Sequence, residues 1–188
     1  MSRRQQYVPG PAANATIDKD GDTWTLVLTR ELKHAPAQVW AALTDPAQLR
    51  EWAPFESDAN LGTAGTVANL STVGSPKPHV TATTVKRADA PKLLEFTWAD
   101  RDIRWQLEPL DGGTLLTLWA NLDRNWIVMG AAGWHVALDV LDRMLSGWPI
   151  GRIAGPEAMQ VGEWNRLVGE YATLLGVDPP RWAANAGG

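Results

Sequence analysis

His34, His79 and His135 are the side chains of this chain best suited to carry a proton near neutral pH. No two of them stand at His-x-x-x-His spacing, and the chain has no cysteine to complete a thiolate site, so no metal centre is expected. His135 follows Trp134 on a helical stretch, where it either reaches a cavity mouth or pairs with Asp139 one turn on. A surface position on that helix is the simpler expectation. Two charged knots could hold a general base at a cavity entrance: Asp100-Arg101-Asp102 with Arg104, and Asp123-Arg124-Asn125. Solvated turns are where such residues ordinarily sit, and that is the expectation here. No Gly-rich phosphate loop, serine elbow or Glu-x-x-His motif is present. Catalytic residues therefore stay unknown, whether the chain is an enzyme stays open, and no cofactor is expected.

The aromatic residues say more. The chain holds 11 Trp against 2 Tyr and 2 Phe, so its aromatic surface is nearly all indole. Genome composition accounts for such a bias in number, and 12 Arg against 5 Lys fits that account. Position is the separate question. Trp98, Trp105 and Trp119 are predicted at similar heights on three successive strands, as a cross-strand aromatic band. Phe96 shares a face with Trp98, while Trp134, Leu138 and Leu141 share one face of a long helix. Trp52 and Phe55 sit at the end of two short helices. These nine residues are the candidate lining of a ligand cavity. Core filling is the competing reading, since an indole buries a large area and needs one N–H partner.

The elements that must position them follow from periodicity. Lys19-Asp20-Gly21-Asp22 supplies a tight hairpin turn before the alternating strand Thr23–Leu32. Pro36 opens a short helix, and Asp45-Pro46 closes it and caps a second that ends at Pro54. From Phe55 to Asn121 the chain reads as an antiparallel meander with strands at Thr66–Val73, Val80–Arg87, Lys92–Ala99, Asp102–Glu108 and Thr114–Asn121. In the last of these, the face of Leu115, Thr117 and Trp119 competes with that of Leu116, Leu118 and Ala120. Helices are predicted at Gly133–Leu145 and Pro156–Leu175, the latter ended by Gly176. The expected fold is α+β: an antiparallel sheet of about six to seven strands wrapped around a long C-terminal helix, plus an extra helix. The expected organisation is a flexible leader (1–14), the main domain (15–146), a C-terminal loop and helix packed on it (147–178) and a flexible tail (179–188).

Composition narrows the function classes. With 17 Lys+Arg against 21 Asp+Glu there is no basic surplus for nucleic acid. The longest apolar run, Trp126–Leu138, is too short to span a bilayer. No secretory signal is read at the start, so a cytoplasmic, cysteine-free protein of ordinary domain size is expected.

The run Leu32–Pro46, with Pro36, Val39-Trp40 and Ala42-Leu43-Thr44-Asp45-Pro46, continued by Leu49 and Trp52, resembles the opening of the Hsp90-ATPase-activator-homologue-1-like families of the START/Bet v 1 (SRPBCC) superfamily. Leu94-Glu95-Phe96-Thr97-Trp98, Asp111-Gly112-Gly113-Thr114 and Gly133-Trp134-His135 extend the match over about residues 23–146. The resemblance implies a helix-grip fold, in which the sheet grips the helix around an apolar cavity. The function it favours is binding of an apolar or aromatic small molecule there, with weak processing of that ligand left open. The alternative it implies is a co-chaperone-like module contacting a chaperone. A homodimer through the last helix also stays open.

Overall fold

The computed structural model describes residues 2–77 and 79–179. The strands are β1 (Ala15–Asp20), β2 (Thr23–Leu32), β3 (Phe55–Ser57), β4 (Val67–Thr72), β5 (His79–Thr84), β6 (Arg87–Asp89), β7 (Leu93–Trp98), β8 (Arg101–Leu110) and β9 (Gly113–Asn121). Helices α1 (Pro36–Thr44) and α2 (Pro46–Trp52) follow β2, and α3 (Ile127–Leu145) and α4 (Trp164–Leu175) follow β9. The fold is the expected α+β helix grip: an antiparallel sheet and a long helix packed on its apolar face.

Local chemistry sets the boundaries. Gly21, with positive φ, closes the β1–β2 hairpin. Asp45 caps α2, its carboxylate accepting from the Ala47 N–H at 2.8 Å, with Pro46 at the first helical position. Ala99 and Asp100, both at positive φ, form the tight turn between β7 and β8.

Six strands pair in the order β1-β2-β9-β8-β7-β6, and β3-β4-β5 form a smaller sheet. The stretch read as one strand, Val80–Arg87, divides between them: β5 ends at Thr84, and β6 pairs with β7. Threonine hydroxyls bridge the gap. Thr83 Oγ1 accepts from the Thr97 N–H at 3.0 Å, and Thr81 Oγ1 from the Ala99 N–H at 3.2 Å. One row of the main sheet runs Leu28, Leu118, Trp105, Leu94, and the next runs Leu26, Ala120, Ile103, Phe96. All eight are buried.

Several expectations are corrected. The competition on β9 is decided for Leu116, Leu118 and Ala120, all fully buried. Trp119 therefore points to the outer face, where the Arg104 guanidinium lies 4.8 Å over its ring. The three-tryptophan band across the strands does not form. The long helix begins at Ile127, a turn and a half before Gly133, because Trp126–Leu138 is apolar enough to stay buried on several sides. The last helix is broken: a 3-10 segment spans Gly155–Gln160, and α4 starts only after Glu163 takes a left-handed φ of 66°.

The leader, expected to be loose, lies along the domain. Tyr7 is only 3% exposed, and Arg4 donates to the carbonyl of Arg152 at 2.8 Å. α4 packs on α3 and β1. Residues 180–188 of the expected tail lie outside the described residues. No helix among the described residues is long and apolar enough to cross a membrane.

Candidate functional site

Six of the nine candidate residues form one continuous aromatic chain between sheet and helix. Trp52 meets Trp105 edge-on at 6.1 Å between centroids, and Trp105 meets Trp134 at 5.5 Å. Trp134 meets Trp98 at 5.9 Å, Trp98 meets Phe55 at 5.3 Å, and Phe55 meets Phe96 at 5.8 Å. Four of these five contacts are edge-to-face, the arrangement that ring quadrupoles favour, and Phe55–Trp98 is tilted at 44°. The Trp52 indole donates to the Ala42 carbonyl at 2.9 Å, and the Trp98 indole to Thr72 Oγ1 at 3.0 Å. The space that a wider grip would leave open is thus filled by indole. Leu138 and Leu141, both fully buried, belong to the same core.

Open space lies beside the middle of that chain, at Trp98 and Trp134. A cleft of about 370 Å³ is walled by Trp98 and Pro54 on the sheet side and by Met129, Gly130, Gly133, Trp134 and Ala137 of α3. Leu122 and Trp126 close the approach to α3, and the far wall is Ile153, Ala154, Gly155, Ala158, Met159 and Trp164. Every lining residue is apolar or glycine. Trp126 and Met159 are exposed at this cleft. Of the candidates, Trp98 and Trp134 face it, and Trp119 lies on the opposite side of the sheet beside Lys86, Glu95 and Asp102. Sequence reasoning missed the wall formed by 153–164, which carries no recognisable motif. Gly130, Gly133 and Ala137 share one helical face, which was a legible signal.

Close backbone packing holds the far wall in place. Gly155 has a positive φ, and a Cβ on it would come within 3.1 Å of Gly74 Cα, so two glycine backbones abut there. The Arg152 guanidinium reaches Glu56 of β3 at 2.9 Å, and Arg4 pairs with Glu157 at 2.7 Å.

The titratable groups gather elsewhere. His135, expected on the surface, is only 4% exposed, and its Nδ1 lies 2.8 Å from the Tyr171 hydroxyl of α4. The Tyr7 hydroxyl donates to Asp139 Oδ2 at 2.7 Å, and the Arg30 guanidinium of β2 pairs with Asp139 Oδ1. His135 Nε2 is 3.5 Å from Asp139 Oδ2 and has no hydrogen-bond partner among the described residues. Burial would raise the Asp139 pKa, but the contacts with His135 and Arg30 outweigh it and hold the carboxyl down at about 2. Burial pushes the Tyr171 phenol up to about 12, and it raises Tyr7 too, reinforced by the Asp139 carboxylate. This knot ties the leader, β2, α3 and α4 together, and none of its side chains lines the apolar cleft.

The remaining charged candidates are surface pairs. Arg101 meets Asp123 at 2.6 Å, Lys86 pairs with Asp102, and Arg104 is 3.6 Å from Glu95. His34 Nε2 lies 2.9 Å from Asp142 Oδ1, and His79 sits on the exposed strand β5.

A helix-grip protein with an apolar cleft beside its long helix is the class this geometry defines. The match to known families agrees with it: residues 23–146 fit the family described as polyketide cyclase / dehydrase and lipid transport, and the chain belongs to that family. No curated protein matches the chain. Among solved structures, CalU16 from Micromonospora echinospora is similar with a TM-score of 0.61 at 20% identity, covering 94% of each chain. A conserved protein of unknown function from Enterococcus faecalis, EF2215, gives 0.61 at 19% identity, over 85% of this chain and 89% of its own. A protein from Rhodobacter sphaeroides gives 0.56 at 24% identity, over 70% and 97%. These likenesses concern the fold. The far wall of the cleft lies beyond the family match, which ends at residue 146.

Proposed function

We propose that this protein binds an apolar or aromatic small molecule in the cleft between Trp98, the first half of α3 and the segment 153–164. The observation that carries the reading is the cleft itself: about 370 Å³, within the range of small-molecule pockets, with apolar and glycine walls. Trp98 and Trp134 are the two residues common to the sequence-derived lining and this cleft. Trp52, Phe55, Phe96, Trp105, Leu138 and Leu141 support it from behind as packed core.

The lining contains no titratable side chain, which favours holding the ligand over acid–base turnover of it. The family description spans both enzymes and lipid carriers, and the walls favour the carrier end of that range. A cysteine-free chain is compatible with the cytoplasm, where we place it.

Native mass spectrometry of protein purified from its own host tests this directly. A co-purified apolar molecule, released on denaturation, is the expected result, along with saturable quenching of indole fluorescence on adding it back. Absence of any bound molecule and a flat response to a diverse apolar library would sink the reading. Stoichiometric recovery of an Hsp90-type ATPase instead would favour the chaperone-contact alternative suggested by the Leu32–Pro46 motif.

A further inference from the structure

Helix α3 carries Gly130 and Gly133 one turn apart, both on the wall of the cleft. Glycine weakens a helix interior relative to alanine, because its backbone has more freedom to lose on folding. Two constraints commonly retain it: a positive φ, or a neighbour too close to allow a Cβ. Neither glycine has a positive φ. A Cβ on Gly130 would stand 2.4 Å from Leu122 Cδ1, so the chain's own leucine occupies that place. At Gly133 the outcome is opposite: a Cβ there meets nothing within 4 Å outside the helix's own backbone. The volume above Gly133 is cleft, which the protein could have filled and has left open.

The geometry points to Gly133 as the position that sets the shape of the ligand, the floor on which an uncharged, flat ring system lies against bare helix backbone. This inference rests on the binding reading above and deepens it by naming the wall and the ligand class. Flatness follows from the floor, since a helix stripped of its side chain offers a shallow surface rather than a hole. Trp98, Trp134 and Trp164 add ring faces and edges to the walls. Lack of charge follows from the lining, which would leave a buried ion unpaired. Gly169 of α4 supplies an internal control. It too has nothing within 4 Å of a built Cβ, but it is exposed and outside the cleft.

The test uses the full chain with the neutral, planar fluorescent dye anthracene as the flat probe and dodecanol as a linear competitor. Gly133→Leu should weaken dye binding by more than about tenfold, as expected when several methylenes enter a fitted apolar pocket. Its melting temperature should equal or exceed that of the wild type. Gly133→Ala should weaken binding less and raise the melting temperature by about 2–4 °C, from helix propensity alone. Gly169→Ala should give a similar rise with unchanged dye affinity. Dye binding by Gly133→Leu as tight as wild type overturns the inference while leaving the cleft a binding site. So does a melting temperature below wild type for both Gly133 variants, since the place would not then be empty. Tighter binding of dodecanol than of the dye overturns the flat-ring class. Failure of the wild type to bind either probe removes the binding reading beneath it.

Discussion

Gly133 and His135 are near neighbours on α3 and face opposite kinds of surroundings. On the side of Gly133 the helix shows a bare, apolar surface to an open cleft. On the side of His135, groups from four separate elements close around Asp139. A charge shut away from water needs its partners built in, so that side is packed and specific. An apolar surface imposes no such demand, and its space can be left for another molecule. The perturbed pKa values therefore mark a structural knot, and the candidate site is the stretch with nothing to titrate. Strong shifts are a common sign of a functional centre, but ion-pair networks inside a fold generate them equally well.

The largest expected effect lies in the packed chain of rings that borders the cleft. Trp105→Ala should cost about 3–5 kcal/mol in urea unfolding, because Trp105 touches both Trp52 and Trp134 and leaves a large hole. Trp119→Ala, on the outer face of the next strand, should cost about 0.5 kcal/mol. Similar losses at the two positions would erase the distinction between the faces of the sheet. Next comes the knot: Asp139→Ala should cost about 3 kcal/mol by leaving Arg30 without its main counter-charge. Ring-probe affinity at the cleft should survive in whatever fraction stays folded. A selective loss of binding would join the two sides of the helix into one site.

Acid provides a smaller and independent measure. The Asp139 pKa is lower in the folded state, about 2 against an ordinary 3.8, so its stabilisation is present above about pH 4. It is lost as pH falls from there toward 2, amounting to about 2 kcal/mol on full protonation. The difference in stability between wild type and Asp139→Asn should shrink over that window. A difference independent of pH would show that Asp139 is not held ionised by its neighbours. The smallest change is Tyr7→Phe, which removes the hydroxyl bonded to Asp139 and should cost about 1 kcal/mol. Increased proteolysis within the first 14 residues should accompany it, since Tyr7 is the buried anchor of the leader. An unchanged digestion pattern would mean that the leader is held by other contacts, such as that of Arg4 with Arg152.

Sequence alone determined much about this chain where the signals are local. Asp45 and Pro46 declared a helix start, Asp20-Gly21 a hairpin, and the candidate lining named Phe96 and Trp105, both of which are buried. Each of these depends on a residue's own backbone preference or on a period of two, which neighbours in space need not supply. Tertiary structure decided the rest. β9 has apolar residues on both faces, and only pairing with β2 and β8 turned Trp119 outward. His135 reads as a surface residue until α4 and the leader close over that side of α3, Tyr171 meeting His135 and Tyr7 meeting Asp139. The cleft depended most on long-range placement: six of its 15 lining residues come from 153–164, which packs against α3 and the loop at Gly74. The sequence supplied the indoles and the small residues of α3. Whether they enclosed a core or a space was settled by how far apart the packed elements came to rest, which no local pattern encodes.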